Sequence, residues 1–133
     1  MTLVVVDTSA WYALINPHDA HHAAAQRFLQ GYSGSFLTTN YVIAETTNLV
    51  LMRLGAERAL EWLDLVRESQ LVEVVCMTPE QHERIGDLFA QYAQKGLSFT
   101  DCSSLLLLQE RKLSQAFCFD RDFLQKAGVA CVP

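Results

Sequence analysis

The sequence predicts an α/β protein, a parallel sheet covered on both faces by helices, and three observations carry that prediction. Short apolar runs alternate with segments of helical periodicity along the whole chain. The first run, Leu3 to Val6, is apolar at every position, as in a strand buried on both sides. The 133 residues, half of them apolar, suffice for the core of one domain and leave no room for a second.

The elements follow in order. After the strand Leu3 to Val6, residues 9 to 15 predict a short helix stopped by Asn16 and Pro17, and residues 19 to 30 a second that ends near Gly31. Ser35 to Thr38 is the next strand. Thr39 can cap a helix from Asn40 to Leu54, with Gly55 as its C-terminal stop, and residues 56 to 69 form the helix after it. Leu71 to Met77 reads as a strand. In Thr78-Pro79-Glu80-Gln81 a cap, a proline at the first helical position and a glutamine at the third make a capping box, opening a helix to about Gln94 that Gly96 closes. A helix from about Thr100 to Lys112, a strand Ala116 to Phe119, a short helix Phe123 to Ala127 and a strand Val129 to Val132 complete the chain.

Composition excludes several classes. Cys76, Cys102, Cys118 and Cys131 lie far apart, with no C-x-x-C pair and no histidine at ligand spacing, which predicts reduced thiols in a cytoplasmic protein rather than a disulfide framework or a zinc knuckle. No apolar stretch approaches the roughly 20 residues that span a bilayer, and the N-terminus has no basic segment of a signal peptide, so no membrane role is expected. Ten Lys and Arg against fifteen Asp and Glu give a net charge of −5. That balance argues against nucleic acid binding by charge alone, unless bound cations reverse the field where acids cluster.

The acids fall in telling places. Asp7 follows directly on the first strand, Asp120 on the fourth, and Asp101 sits in the first turn of the helix between residues 100 and 112. Residues just past the C-terminal ends of parallel strands line the ligand crevice, and Asp7 and Asp120 face one another there if strands 1 and 4 are neighbours. Any one such acid also has a plain structural use as a helix cap or first-turn charge. Glu45 has apolar residues a turn away on either side and needs a cation or donor if buried, with Asn48 three residues on as a candidate donor.

The four motifs together, Asp7-Thr8-Ser9, A-E-x-x-N at Glu45, L-S-F-T-D at Asp101 and F-D-R-D-F at Asp120, resemble the acidic motifs of PIN-domain ribonucleases, in the small stand-alone form of VapC-type toxins. The resemblance spans Leu3 to about Val132. It implies an α/β/α sandwich with sheet order 3-2-1-4-5, catalytic carboxylates at Asp7, Glu45, Asp101 and Asp120, and Thr8 or Ser9 as a polar helper near the metal. The second acid of F-D-R-D-F is less constant in role across the family, so Asp122 stands apart, as a cap of the last helix or a further acid at the site.

The chemistry suits the residues. A phosphodiester is anionic and has a poor leaving oxygen, so its hydrolysis needs charge neutralisation and a source of hydroxide near neutral pH. Hard carboxylate oxygens suit Mg²⁺ or Mn²⁺, one ion or two, with an affinity that falls in acid. Three rival readings stay open: metal-free RNA cleavage or zinc binding by His18 and His22, four residues apart; a receiver-like phosphoacceptor or haloacid-dehalogenase-like phosphatase, which would want a paired acid beside the first and, for the receiver, a lysine after the last strand; and a catalytically silent module on the same fold. A non-toxin RNA-processing nuclease of the same family is the nearest alternative.

Partners are suggested by the helix from 56 to 69, whose apolar arc of about 220° is wider than one buried face needs. Trp62 and Leu65 are expected at its spare edge, beside Leu51, Met52 and Leu54. The resemblance implies that a VapB-type antitoxin wraps this helical pair, that the toxin is a homodimer, and that the substrate is RNA.

Overall fold

The computed structural model describes residues 2–120 and 127–133. A five-stranded parallel sheet has the order β3-β2-β1-β4-β5, built from β1 (Leu3–Val6), β2 (Ser35–Thr39), β3 (Val72–Val75), β4 (Gln115–Phe117) and β5 (Ala130–Val132). Among the described residues there are six α-helices: α1 (Thr8–Ile15), α2 (His22–Gly31), α3 (Asn40–Leu54), α4 (Ala56–Glu68), α5 (Pro79–Tyr92), which runs on into a 3₁₀ turn (Ala93–Lys95), and α6 (Phe99–Glu110). Among the described residues no helix is long and apolar enough to cross a membrane.

The period of two in β1 sorts the core into layers. Val4 and Val6 point to one face, where they pack with Trp11, Ala25, Phe36, Trp62, Val66 and Phe117 under α1, α2 and α4. Val5 points to the other and packs with Leu37, Ile85, Leu105 and Ala116 under α5 and α6. The central strand is wholly apolar because neither face meets water, as expected.

Helix α6 shows the same logic, since Cys102 through Leu108 are all buried between the sheet and α5. The capping box at Thr78 is present, with Thr78 Oγ1 accepting from the Gln81 amide at 3.1 Å and Gln81 Oε1 from the Thr78 amide at 2.9 Å. Gly55, at φ +97°, makes the turn between α3 and α4, a conformation that a residue with a Cβ rarely adopts.

Two expectations are corrected. Cys118 and Cys131 form a disulfide, with Cα atoms 5.5 Å apart. The pairing of β4 with β5 brings together two cysteines that spacing alone kept separate. Cys76 and Cys102 are free, the first exposed and the second buried. Trp62 is not at a spare edge but in the core, 6% exposed against the edge of Trp11, whereas Leu60 and Leu65 of the same helix are 62% and 63% exposed. The expected helix Phe123 to Ala127, and Asp122 before it, fall at or within the segment 121–126, outside the described residues.

Candidate active site

The strand order places the ends of β1 and β4 side by side, and everything at the site grows from that junction. The Asp7 amide donates to Phe117 O at 3.2 Å, continuing the ladder one residue past β1. The chain then turns into α1 with Asp7 as its cap: Oδ1 accepts from the Ala10 amide at 3.2 Å and from Ser9 Oγ at 2.7 Å. Oδ2 is left without a partner among the described residues. Ser9 Oγ also accepts from the Phe119 amide at 2.9 Å, so one hydroxyl ties the first acid to the backbone just before Asp120.

Asp101 is held by a second cap. It is the third residue of α6 and forms a capping box with Ser98: Asp101 Oδ2 accepts from the Ser98 amide at 2.9 Å, and Ser98 Oγ from the Asp101 amide at 3.0 Å. At Asp7 and Asp101 a structural use as a helix cap and a place at the crevice therefore coincide. Each cap occupies one carboxylate oxygen, fixes the rotamer and leaves the other oxygen for the crevice.

Asp7, Glu45, Asp101 and Asp120 line one cleft of about 350 Å³, with Thr8, Ser9 and Tyr12 of α1. The electrostatics show their proximity. Burial pushes the Asp7 carboxyl up to about 7; its bonds to Ser9 and Ala10 oppose that rise, and the charges of Asp101 and Asp120 add to it. Asp101 is also raised, first by burial, against its two bonds to Ser98, and further by the charges of Asp120 and Glu45. Thr8 Oγ1 is buried and has no hydrogen-bond partner among the described residues. Among the described residues no three of His, Cys, Asp and Glu stand as a ready-made cage for an ion.

Not every expectation is met. Glu45 is exposed at the cleft, so the donor it would need if buried is not required, because α3 lays its Glu45, Leu49, Arg53 stripe along the opening. Asn48 is exposed, does not line the cleft and makes no hydrogen bond to Glu45. His18 and His22 do not share a helix: His18 is in the turn before α2, and His22, its first residue, lies 2.7 Å through Nδ1 from Ala13 O. Sequence reasoning passed over Tyr12, Asp19, His21, Arg53 and Phe119, which also line the cleft. The spacing of Arg53 eight residues after Glu45 was the available signal.

A match to the PIN domain covers residues 4–129. The chain belongs to the PIN-domain family. Within it the relatives are of the VapC type: the 23S rRNA-specific endonuclease VapC20 of Mycobacterium tuberculosis is 31% identical over 121 residues, 91% of this chain and 92% of that one. The VapC ribonuclease of Archaeoglobus fulgidus is 27% identical over 82% of this chain and 72% of its own. The crystal structure of the Mycobacterium tuberculosis VapC20, a sarcin-ricin loop cleaving toxin, superposes with a TM-score of 0.86 at 29% identity, covering 93% of this PIN domain and 94% of that chain. The named relatives are nucleases, so nuclease chemistry is the activity of the group in which this PIN domain sits.

Proposed function

We propose that this PIN domain is a Mg²⁺- or Mn²⁺-dependent endoribonuclease, the toxin of a toxin and antitoxin pair. One observation carries the reading: four carboxylates from four separate elements converge on one cleft, where burial first, and their mutual repulsion in addition, raise the pKa of Asp7 and Asp101. A fold gains nothing from that repulsion, and a divalent cation relieves it. The donors fit such an ion. They are hard oxygens, Asp7 and Asp101 each keep one oxygen out of their caps, and the orphaned Thr8 Oγ1 is a further oxygen in need of a partner. Asp7, Asp101, Asp120 and Glu45 are the residues to hold it, with Ser9 steadying Asp7 against the β4 end.

When bound, the ion supplies positive charge to the phosphoryl oxygens and acidifies a water for in-line attack. The caps hold Asp7 and Asp101 in place before substrate arrives, so little ordering is left for the reaction itself. The specificity of the 23S rRNA-specific relative makes structured ribosomal RNA the first substrate to test. Incubation of rRNA with the protein and Mn²⁺ should give new ends with 5′-phosphate and 3′-hydroxyl, and chelation should stop cleavage. Ends carrying 2′,3′-cyclic phosphate, or cleavage that survives chelation, would overturn the metal reading.

The antitoxin reading has its own support. An apolar groove of about 390 Å³ lies between α1, α2 and α4, floored by Val6, Phe36 and Phe117 of the sheet and open at Leu65 and Leu71. Trp62 lines it with its indole Nε1 buried and without an acceptor among the described residues. An amphipathic segment of a VapB-type antitoxin fits such a groove, apolar side down and one oxygen toward Trp62. Two VapBC complexes, from Rickettsia felis and Salmonella typhimurium, have the same fold. Co-expression with the neighbouring gene should restore the growth that the chain alone suppresses; a chain that cleaves RNA yet never slows growth would be a processing nuclease instead. A homodimer is the expected assembly.

A further inference from the structure

An acidic cleft in a chain of net charge −5 must still bring a polyanion to its edge. A bound cation neutralises the phosphate under attack, but the neighbouring phosphates need partners of their own. Among the described residues that line the cleft, Arg53 is the one arginine or lysine. It lies in the last turn of α3, on the Glu45, Leu49, Arg53 stripe and about 12 Å from Glu45 along the helix axis. It makes no ion pair with any of the four acids it shares the cleft with. Its guanidinium is instead seated over the ring of Tyr12, 5.4 Å from the centroid. Tyr12 is itself buried and held at its hydroxyl by Asn16 Nδ2 at 3.2 Å. A guanidinium lying on an aromatic face keeps its N–H edge free, the arrangement that meets a phosphate with two parallel hydrogen bonds.

A second feature lines the same cleft. The exposed ring of His21 stacks on Phe119, with centroids 4.6 Å apart and planes within 8°. Phe119 immediately precedes Asp120, and its amide is the one fixed by Ser9. An exposed ring backed by a second parallel ring is a stacking surface for an unpaired base.

Resting on the ribonuclease reading, we propose that Arg53, seated on Tyr12, holds a phosphate adjacent to the one that is cut, and that the His21 ring on Phe119 receives an unpaired base. The two are a grip on single-stranded RNA and take no part in bond breaking. A merely structural Arg53, answering the dipole at the end of α3, predicts something different.

The test measures binding of a short fluorescein-labelled single-stranded RNA of mixed sequence to the Asp101→Asn chain as KCl is varied. Arg53→Gln should weaken binding about tenfold at low salt and reduce the slope of log Kd against log salt by about 0.7, the loss of one phosphate contact on a single strand. Arg53→Lys should restore the slope. His21→Ala should weaken binding about tenfold with the slope unchanged, and His21→Phe should restore it. In the active chain Arg53→Gln should raise KM far more than it lowers kcat, with the Mn²⁺-induced rise in Tm retained. An unchanged salt slope in Arg53→Gln, or a lysine that fails to restore it, overturns the phosphate contact; a His21→Phe variant as weak as His21→Ala overturns the stacking. A parent chain that neither binds nor cleaves RNA overturns this grip together with the ribonuclease reading. If the parent does both, an Arg53→Gln chain that matches it removes the grip alone.

Discussion

The acidic cleft and the apolar groove are separated by one eight-residue helix. The cleft side of α1 carries Thr8, Ser9 and Tyr12, and the groove side Trp11, Leu14 and Ile15. The cleft is made of side chains in costly positions, like charges crowded together with one of them 5% exposed. The groove is made of side chains in ordinary positions that none of the described elements covers. A site for chemistry therefore stores unfavourable electrostatics, and a site for a partner stores unspent apolar area. Substitutions should separate the two, because the first kind of site gains stability when it is disarmed and the second loses it.

The largest expected effect is on cleavage. Asp7→Asn and Asp101→Asn should each lower it by at least about 10²- to 10³-fold, the usual cost of removing one preorganised charge from a phosphoryl-transfer site. The metal-free Tm should stay level or rise, since like-charge repulsion is removed. A gel of rRNA fragments and a melting curve check both, and a large fall in Tm would make these acids structural.

Next comes the groove. Trp62→Ala should cost about 3–5 kcal/mol by denaturant titration, because the ring is in the core against Trp11. Leu65→Glu should barely move stability and should weaken antitoxin binding by about 2 kcal/mol or more, since its charge is buried only in the complex. Equal destabilisation by the two would erase the distinction between floor and rim.

A smaller effect is expected from pH. The folded pKa of Asp7 is raised, from 3.8 to about 7, so the native state holds a proton that the unfolded chain has released. The stability this contributes is complete below about pH 4 and is lost as pH rises through about 7. The metal-free protein should thus melt lower at pH 8 than the Asp7→Asn variant, with the two converging toward pH 5. Mn²⁺ should remove the difference by raising the native Tm at pH 8 and doing little at pH 5. Parallel curves without metal would mean that Asp7 is ionised throughout. Last, Ser98→Ala should cost about 1 kcal/mol for the lost cap of α6, with a modest drop in cleavage as Asp101 loses its anchor.

Much of the fold was legible. The helix Asn40 to Leu54 with its stop at Gly55 and the capping box at Thr78 were written in local residue types, where one residue decides a local outcome, whereas the strand order came only with the resemblance to the PIN domain. Asp7, Asp101 and Asp120 were legible because each stands at a strand end or in a first helical turn, Glu45 inside α3 was legible through the resemblance, and the structure gathers all four in one cleft. What was not legible depends on which face of an element meets which neighbour. Periodicity marked the arc of α4 as too wide but could not say that Trp62 faces in while Leu60 faces out. The Cys118–Cys131 pair and the ring stack of His21 on Phe119 join residues that only the tertiary arrangement brings together.

The hydroxyl of Ser9 reaches an amide 110 residues further along the chain. That span gives the cleft a place in time as well as in space. During synthesis Asp7 leaves the ribosome well before the β4 edge that completes its surroundings, which is made after α5 and α6. A nascent chain ending before residue 115 has β1 and β2 to pair but no strand on the other side of β1 and no fourth acid. The site therefore comes into being only once the segment from β1 to Phe119 is available to close the loop. If the chain cuts RNA as proposed, it would in this way be inert toward its own message and its own ribosome until that segment has been made.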